Sequence, residues 1–322
     1  LNNMTASGTV IATGSETVTV SGNIDFSAAG NNFTQVTSVV VLTGAAGSTL
    51  NAPNETFNDV TVNKGAGATA VTLGSNVALA NGSGDLVMTQ GTVDLAGYQL
   101  TLGTNLNMSS ASSATIAIGT GTLNGTANGR TVTVSNAAAA ITQSTGTLTA
   151  TGLSVSAGSY TLSGAGTVTV GATGRGVSGT GVVTLNAAGV GIGAGGLTQT
   201  GGTINADSAL ISSAGSVALT VGTFNEGTSL LTMTGAGTTV RVTPVRQLNN
   251  LTINPGAGTV TISTEDLTVA GNLLVSSGTF SLGGRNLTVV GNVSAGAAAV
   301  LAATGSETVT VSGNIDFSAA GN

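Results

Sequence analysis

The chain has 322 residues, a formal net charge of −6 from 6 basic and 12 acidic side chains, and no His and no Cys. So few basic residues leave no patch to neutralise a phosphate backbone, which argues against a nucleic-acid partner. The missing Cys and His exclude disulfides, thiol chemistry, nucleophilic triads and the usual zinc sites. Charged residues are 6% of the chain, against about 25% in ordinary soluble domains, and the chain holds 51 Gly, 2 Tyr and no Trp. Val, Ile and Thr recur throughout, which argues against disorder. The core must therefore be many thin layers of Val, Ile, Leu and Ala. No apolar run reaches the roughly 18 residues of a membrane span; the longest are short, such as Val39–Leu42 and Ala297–Ala303.

In chain order, apolar and polar residues alternate with the period of a strand, whose successive side chains face opposite ways. Thr17-Val-Thr-Val20 recurs as Thr131–Val134, Thr167–Val170, Thr259–Ile262 and Thr308–Val311. Both residue types suit strands, with Val or Ile pointing in and Thr out. Gly, Asn and Ser pairs between these runs are turn chemistry, and no segment carries a capped helical stripe. The chain reads as all-β. From Thr131 to Ala206 the only charged residue is Arg175. So uncharged a β-rich stretch is an aggregation hazard unless its strand edges are covered by neighbouring coils.

The spacing selects the architecture. Leu267-Thr-Val-Ala-Gly-Asn-Leu273 recurs as Leu287–Val293 and again as Val309–Ile315, at nearly equal steps. This predicts a single-stranded parallel β-solenoid with coils of about 20–22 residues, each burying its face on its neighbours. About fifteen coils spaced about 4.8 Å apart would make a rod on the order of 70 Å long. A longer repeat lies on top. Phe57–Gly67 matches Leu248–Gly258, and Gly91–Leu102 matches Gly278–Val289, so residues 57–107 and 248–293 are related modules. Ala12–Asn31 and Ala303–Asn322 are identical at every position, so residues 1–31 and 303–322 share one seam. The chain opens at Leu1 without an initiator Met or signal peptide. The expectation is one continuous solenoid over 1–322, a single period of a longer tandem array.

FNDVTVNKGAG, VTLGSNVAL, GTVDLAGYQLTLG and LNNLTINPGAGTVTI followed by LTVAGNLLVSSGTFSLGGRNLTVVGNV resemble the strand repeats of very large bacterial surface proteins. Those proteins are similar to filamentous-haemagglutinin and autotransporter-type passengers. The resemblance is strongest over 50–107 and 248–322 and thin over 131–206. It implies a secreted, right-handed β-helix at the cell surface serving adhesion, matrix or filament formation, without catalytic residues or cofactor.

Candidate sites are few. Gly191–Gly196 fits G-x-G-x-x-G, with Asp207 downstream, but a dinucleotide site needs a helix after the motif and no helical pattern follows. The acids are scattered; Glu265 and Asp266 are adjacent, which on a strand points them to opposite sides. Gly82-Ser-Gly-Asp85 is the nearest approach to a calcium nonapeptide and occurs once. The Gly-Asn pairs ending at Asn23, Asn272, Asn292 and Asn314 recur at coil spacing and read as structural turns with left-handed backbone and stacked side-chain amides. Sequons stand at Asn3, Asn32, Asn54, Asn81, Asn107, Asn124, Asn250, Asn286 and Asn292. The outward Thr rows admit ice binding, although the TVTV runs do not recur in every coil.

The expected function is a structural fibre that partners itself end to end, with cell-surface or matrix polysaccharide as a further partner. The alternatives are a carbohydrate-active β-helix enzyme or phage tailspike, and a receptor-binding adhesin.

Overall fold

The computed structural model describes residues 1–5, 8–28, 32–53, 55–65, 70–110, 112–186 and 189–318. Residues 29–31 and 319–322 of the two seams, residues 66–67 of the long-repeat match and the sequon at Asn54 lie outside the described residues. The chain is all-β, a parallel β-solenoid of about 14 turns. Among the described residues its only helical element is a single 3-10 turn at Thr126–Asn128. It divides into two compact units, Leu1–Thr167 and Val168–Asn322.

In the first unit each coil contributes short strands that pair in parallel with those one coil on. Thr17–Val20 pairs with Val39–Leu42, which pairs with Asp59–Asn63. Met4–Thr5, Ile24–Asp25, Ser48–Asn51 and Ala70–Leu73 form a second column. A third runs from Thr56–Phe57 through Val77–Leu79 and Gln99–Thr101 to Thr122–Asn124. The alternation read from sequence sorts the side chains as predicted: in Val39–Leu42, Val40 and Leu42 are buried while Val39 and Val41 are only partly covered. Coil length varies in this unit. Ile141 meets Tyr160 after a short coil, whereas Ile24 meets Leu50 after a distinctly longer one.

The second unit is more regular. Val190, Ile211, Leu231, Leu251, Leu273, Val293 and Ile315 stack in one column, each in register with the next. From Val190 to Val293 every member is at most 5% exposed. Burying one such aliphatic side chain is worth roughly 1.5–3 kcal/mol, so the repetition of a modest layer replaces a thick core.

Backbones approach closely where coils turn. A Cβ on Gly196, which adopts φ +73°, would lie 2.1 Å from the Ser216 carbonyl oxygen. No L side chain fits there.

Candidate functional site

The asparagines singled out by spacing lie in ladders that run from coil to coil. Asn272 donates its backbone N–H to Asn250 Oδ1 (3.0 Å), Asn292 to Asn272 Oδ1 (2.9 Å) and Asn314 to Asn292 Oδ1 (2.8 Å). In the first unit Asn23 donates to Asn3 Oδ1 (2.8 Å) and accepts from the Thr49 N–H (2.9 Å) on its own Oδ1. Each side chain thus satisfies a backbone donor at a turn, where the strand ladder cannot. The preceding glycine is needed for proximity: a Cβ on Gly313 would sit 2.5 Å from the Gly291 carbonyl oxygen. The left-handed backbone expected of these asparagines is absent. The described non-glycine residues with positive φ are Ala96, Asn186, Asp207 and Thr264. The Asn is required for its reach to the next coil, which ordinary φ permits.

Sequence reading missed the first rungs, Asn3 and Asn250, and a second ladder. Asp266 Oδ1 accepts the Asn286 N–H and Asn286 Oδ1 accepts the Thr308 N–H, both at 2.8 Å. The parallel between Leu1-Asn-Asn-Met4 and Leu248-Asn-Asn-Leu251 was the available signal.

The other candidates are placed as follows. The glycines of 191–196 lead through a turn into the strand Leu197–Asn205. Asp85 donates its N–H to Asp59 and its carboxylate accepts the Thr104 hydroxyl. Glu265 pairs with Arg241 at 3.8 Å while Asp266 serves its ladder, so these neighbours have separate partners. Among the described residues no group of three or more Asp, Glu, His or Cys comes together. Outward positions of adjacent coils mix Ala70 and Thr72 with Thr92 and Asp94, so the hydroxyl rows are interrupted. A gap of about 10 Å³ inside the first unit, bordered by Leu50, Leu73 and Val93, has a wholly apolar lining, and such a space stays dry.

Lys64 is a buried cation that sequence reading did not single out. It is fully buried, and its Nζ donates to the carbonyl oxygens of Thr43 (2.5 Å) and Ser21 (3.3 Å), tying it to two earlier coils. Desolvation pushes its pKa below the ordinary 10.5. The folded state therefore binds this proton less tightly than the unfolded chain. The penalty is complete below the lowered folded value and disappears as pH rises to 10.5. Unfolding of the first unit should grow less favourable as pH rises through that window, and Lys64→Met should flatten the slope. Urea midpoints of both proteins across alkaline pH test this; parallel slopes would refute it.

The two seams are alike locally and unlike in cover. The Ser27 hydroxyl and N–H hold the Asp25 carboxyl below the usual range, and Ser318 does the same for Asp316. Gly14 N–H bonds Glu16 as Gly305 N–H bonds Glu307. In the first seam Ile24 is 0% and Phe26 2% exposed, whereas the identical Ile315 and Phe317 are 58% and 38% exposed. Phe26 is stacked on Phe33 with ring centroids 5.6 Å apart. Phe317 instead borders an open pocket of about 190 Å³ with Ala295, Ala299, Val300 and Leu301. These residues belong to the last described coil, and the candidate functional features of the chain are its coil-to-coil asparagine ladders. No protein-family model, curated protein or solved structure matches the chain.

Proposed function

We propose that this chain is a structural module of an extracellular bacterial fibre, akin to the filamentous-haemagglutinin and autotransporter-type passengers its strand repeats resemble, acting in adhesion or matrix formation. The observation that carries the reading is the register of the second unit. One aliphatic residue stacks on the next from Val190 to Ile315 without a break. A surface that matches its own successor propagates along one axis without closure. Right-handed winding fits the general preference of parallel crossovers. The acids are scattered, with no three together among the described residues and with Glu265 paired to Arg241, which favours a non-enzymatic role, with no cofactor and with polysaccharide at most as a matrix partner.

The test is electron microscopy of the secreted material together with the mass of the denatured polypeptide. Filaments are expected. A mass near 30.5 kDa means subunits joined end to end, and a much larger mass means one long chain. Isolated particles that cleave a polysaccharide would overturn the proposal in favour of a carbohydrate-active β-helix.

A further inference from the structure

The sequence holds three Asn-Gly pairs, Asn81-Gly82, Asn124-Gly125 and Asn128-Gly129, and all three lie inside the first unit. In such a pair the glycine has no Cβ to keep its backbone N from the neighbouring amide carbon. The solenoid gives the three different surroundings. Asn124 is half-buried, and its Oδ1 accepts the Ala127 N–H and the Thr126 and Thr149 hydroxyls, each at 3.2 Å. Asn128 is half-buried too, and its Nδ2 donates to the Leu102 carbonyl oxygen at 2.7 Å. Asn81 is the exposed member. Its Oδ1 accepts Arg130 Nη2 at 2.6 Å, and its Nδ2 makes no hydrogen bond among the described residues. A Cβ on Gly82, which adopts φ +86°, would meet nothing within 4 Å. Arg130 lies two coils on, past the strands Gln99–Thr101 and Thr122–Asn124 that stack in turn on Val77–Leu79. Its Nε is buried without a hydrogen-bond partner, and it forms no ion pair among the described residues. A guanidinium does not lose its proton in a protein, so a permanent charge is held here against a neutral amide.

We propose that Asn81 is a site of spontaneous deamidation, and that the carboxylate it yields becomes the counter-ion of Arg130. The Gly82 N attacks Asn81 Cγ and a new C–N bond closes a five-membered imide. The Cγ–Nδ2 bond breaks, and ammonia leaves with the proton of the Gly82 amide. Water then opens the imide at one of its two carbonyls, giving aspartate or isoaspartate. Water is the only co-reactant. Arg130 Nη2 already donates to the oxygen on which negative charge grows as Cγ becomes tetrahedral, which is where a fixed donor lowers the barrier. One bond opposes the attack, since the Gly82 N–H donates to the Gly103 carbonyl oxygen at 3.0 Å and has to release it. The rest of that turn holds without it, through the Gly84 N–H on the Ala80 carbonyl oxygen at 2.7 Å. Gly125 must give up a shorter bond, to the Thr149 carbonyl oxygen at 2.7 Å, with no guanidinium on its neighbour's amide. In the product a charge-assisted pair replaces a neutral acceptor and braces two corners of the solenoid.

The other two pairs are controls within the same molecule. The full chain is aged at mildly alkaline pH without denaturant, and peptide mapping by mass spectrometry follows aspartate and isoaspartate at residues 81, 124 and 128. Conversion is expected first at Asn81. Arg130→Met should slow it roughly tenfold, the rate equivalent of one hydrogen bond from a charged donor, while Arg130→Lys should restore part of the rate. Circular dichroism and the unchanged rate at Asn124 establish that the variants keep the fold. Conversion at Asn81 no faster than at Asn124 and Asn128 overturns the proposal, as does a rate at Asn81 indifferent to Arg130→Met. The counter-ion is tested separately with Asn81→Asp, which installs the product directly. It should raise the urea midpoint of the first unit, and the rise should vanish with Arg130→Met and shrink at high salt. A midpoint that does not rise, or that rises equally without Arg130, removes the ion pair.

Discussion

Phe57→Ala is expected to destabilise the first unit by about 3–5 kcal/mol, the range for removing a large ring from a packed interior. The ring is 0% exposed. It closes a row of three aromatics along the inside of the early coils, Phe26 to Phe33 at 5.6 Å and Phe33 to Phe57 at 5.8 Å. The strand one coil on constrains it, since Thr56–Phe57 pairs with Val77–Leu79. The surrounding coils cannot collapse into the hole without breaking that register. In a stack whose stability is a sum of nearest-neighbour terms, the loss should fall on the transition of the unit that contains it. Urea denaturation followed by circular dichroism would show a lowered midpoint. Tyr98→Ala supplies the contrast, because that ring is 39% exposed and should cost less than about 1 kcal/mol. Equal losses at the two sites would mean that the aromatic row carries no special weight.

The fold was legible because alternation and coil spacing are carried by residues with no other task. Leu267, Leu287 and Val309 stand in register one above another, as their spacing in the sequence implies. Coil length was legible only where turns are uniform. The near-constant step holds over that stretch of the second unit, whereas Leu106 meets its partner Val132 only after a longer excursion. The additional residues there include the 3-10 turn Thr126–Asn128, which has no buried residue and therefore leaves no mark on the apolar pattern. The ladders were half legible. Gly-Asn pairs announce a turn, and Gly271, Gly291 and Gly313 do occupy points of close approach. Asn250 follows another Asn instead of Gly, so it escaped the pattern, although it supplies the first rung. Lys64 escaped for a different reason. A lone Lys before Gly normally reads as a solvated turn residue, and only the approach of the Ser21 and Thr43 carbonyls gives its ammonium a buried place.

The second large effect is expected at Gln143, and it is polar. Its side chain is 2% exposed and that of Tyr160 is 0% exposed. The Tyr160 hydroxyl donates to Gln143 Oε1 at 2.6 Å. Gln143 Nε2 donates to the carbonyl oxygens of Gly146 at 2.7 Å and Thr167 at 3.0 Å. One amide thus serves a hydroxyl and two backbone acceptors inside the solenoid. Gln143→Leu keeps the volume but removes one bond from each of the three, while the Gly146 carbonyl keeps the Thr167 N–H at 3.0 Å. Loss of buried hydrogen bonds to one amide is expected to cost about 1–3 kcal/mol. Tyr160→Phe removes only the hydroxyl, leaves Oε1 without that donor and should cost about 1–2 kcal/mol. The double variant should cost less than the sum of the two, because a ring without its hydroxyl leaves nothing there for the missing amide to strand. Residues sharing one network couple by about 0.5–3 kcal/mol. A double-mutant cycle on urea midpoints measures that term directly. Additive losses would mean that the hydroxyl and the amide do not depend on each other, and that the Gln is held by its two carbonyl partners alone.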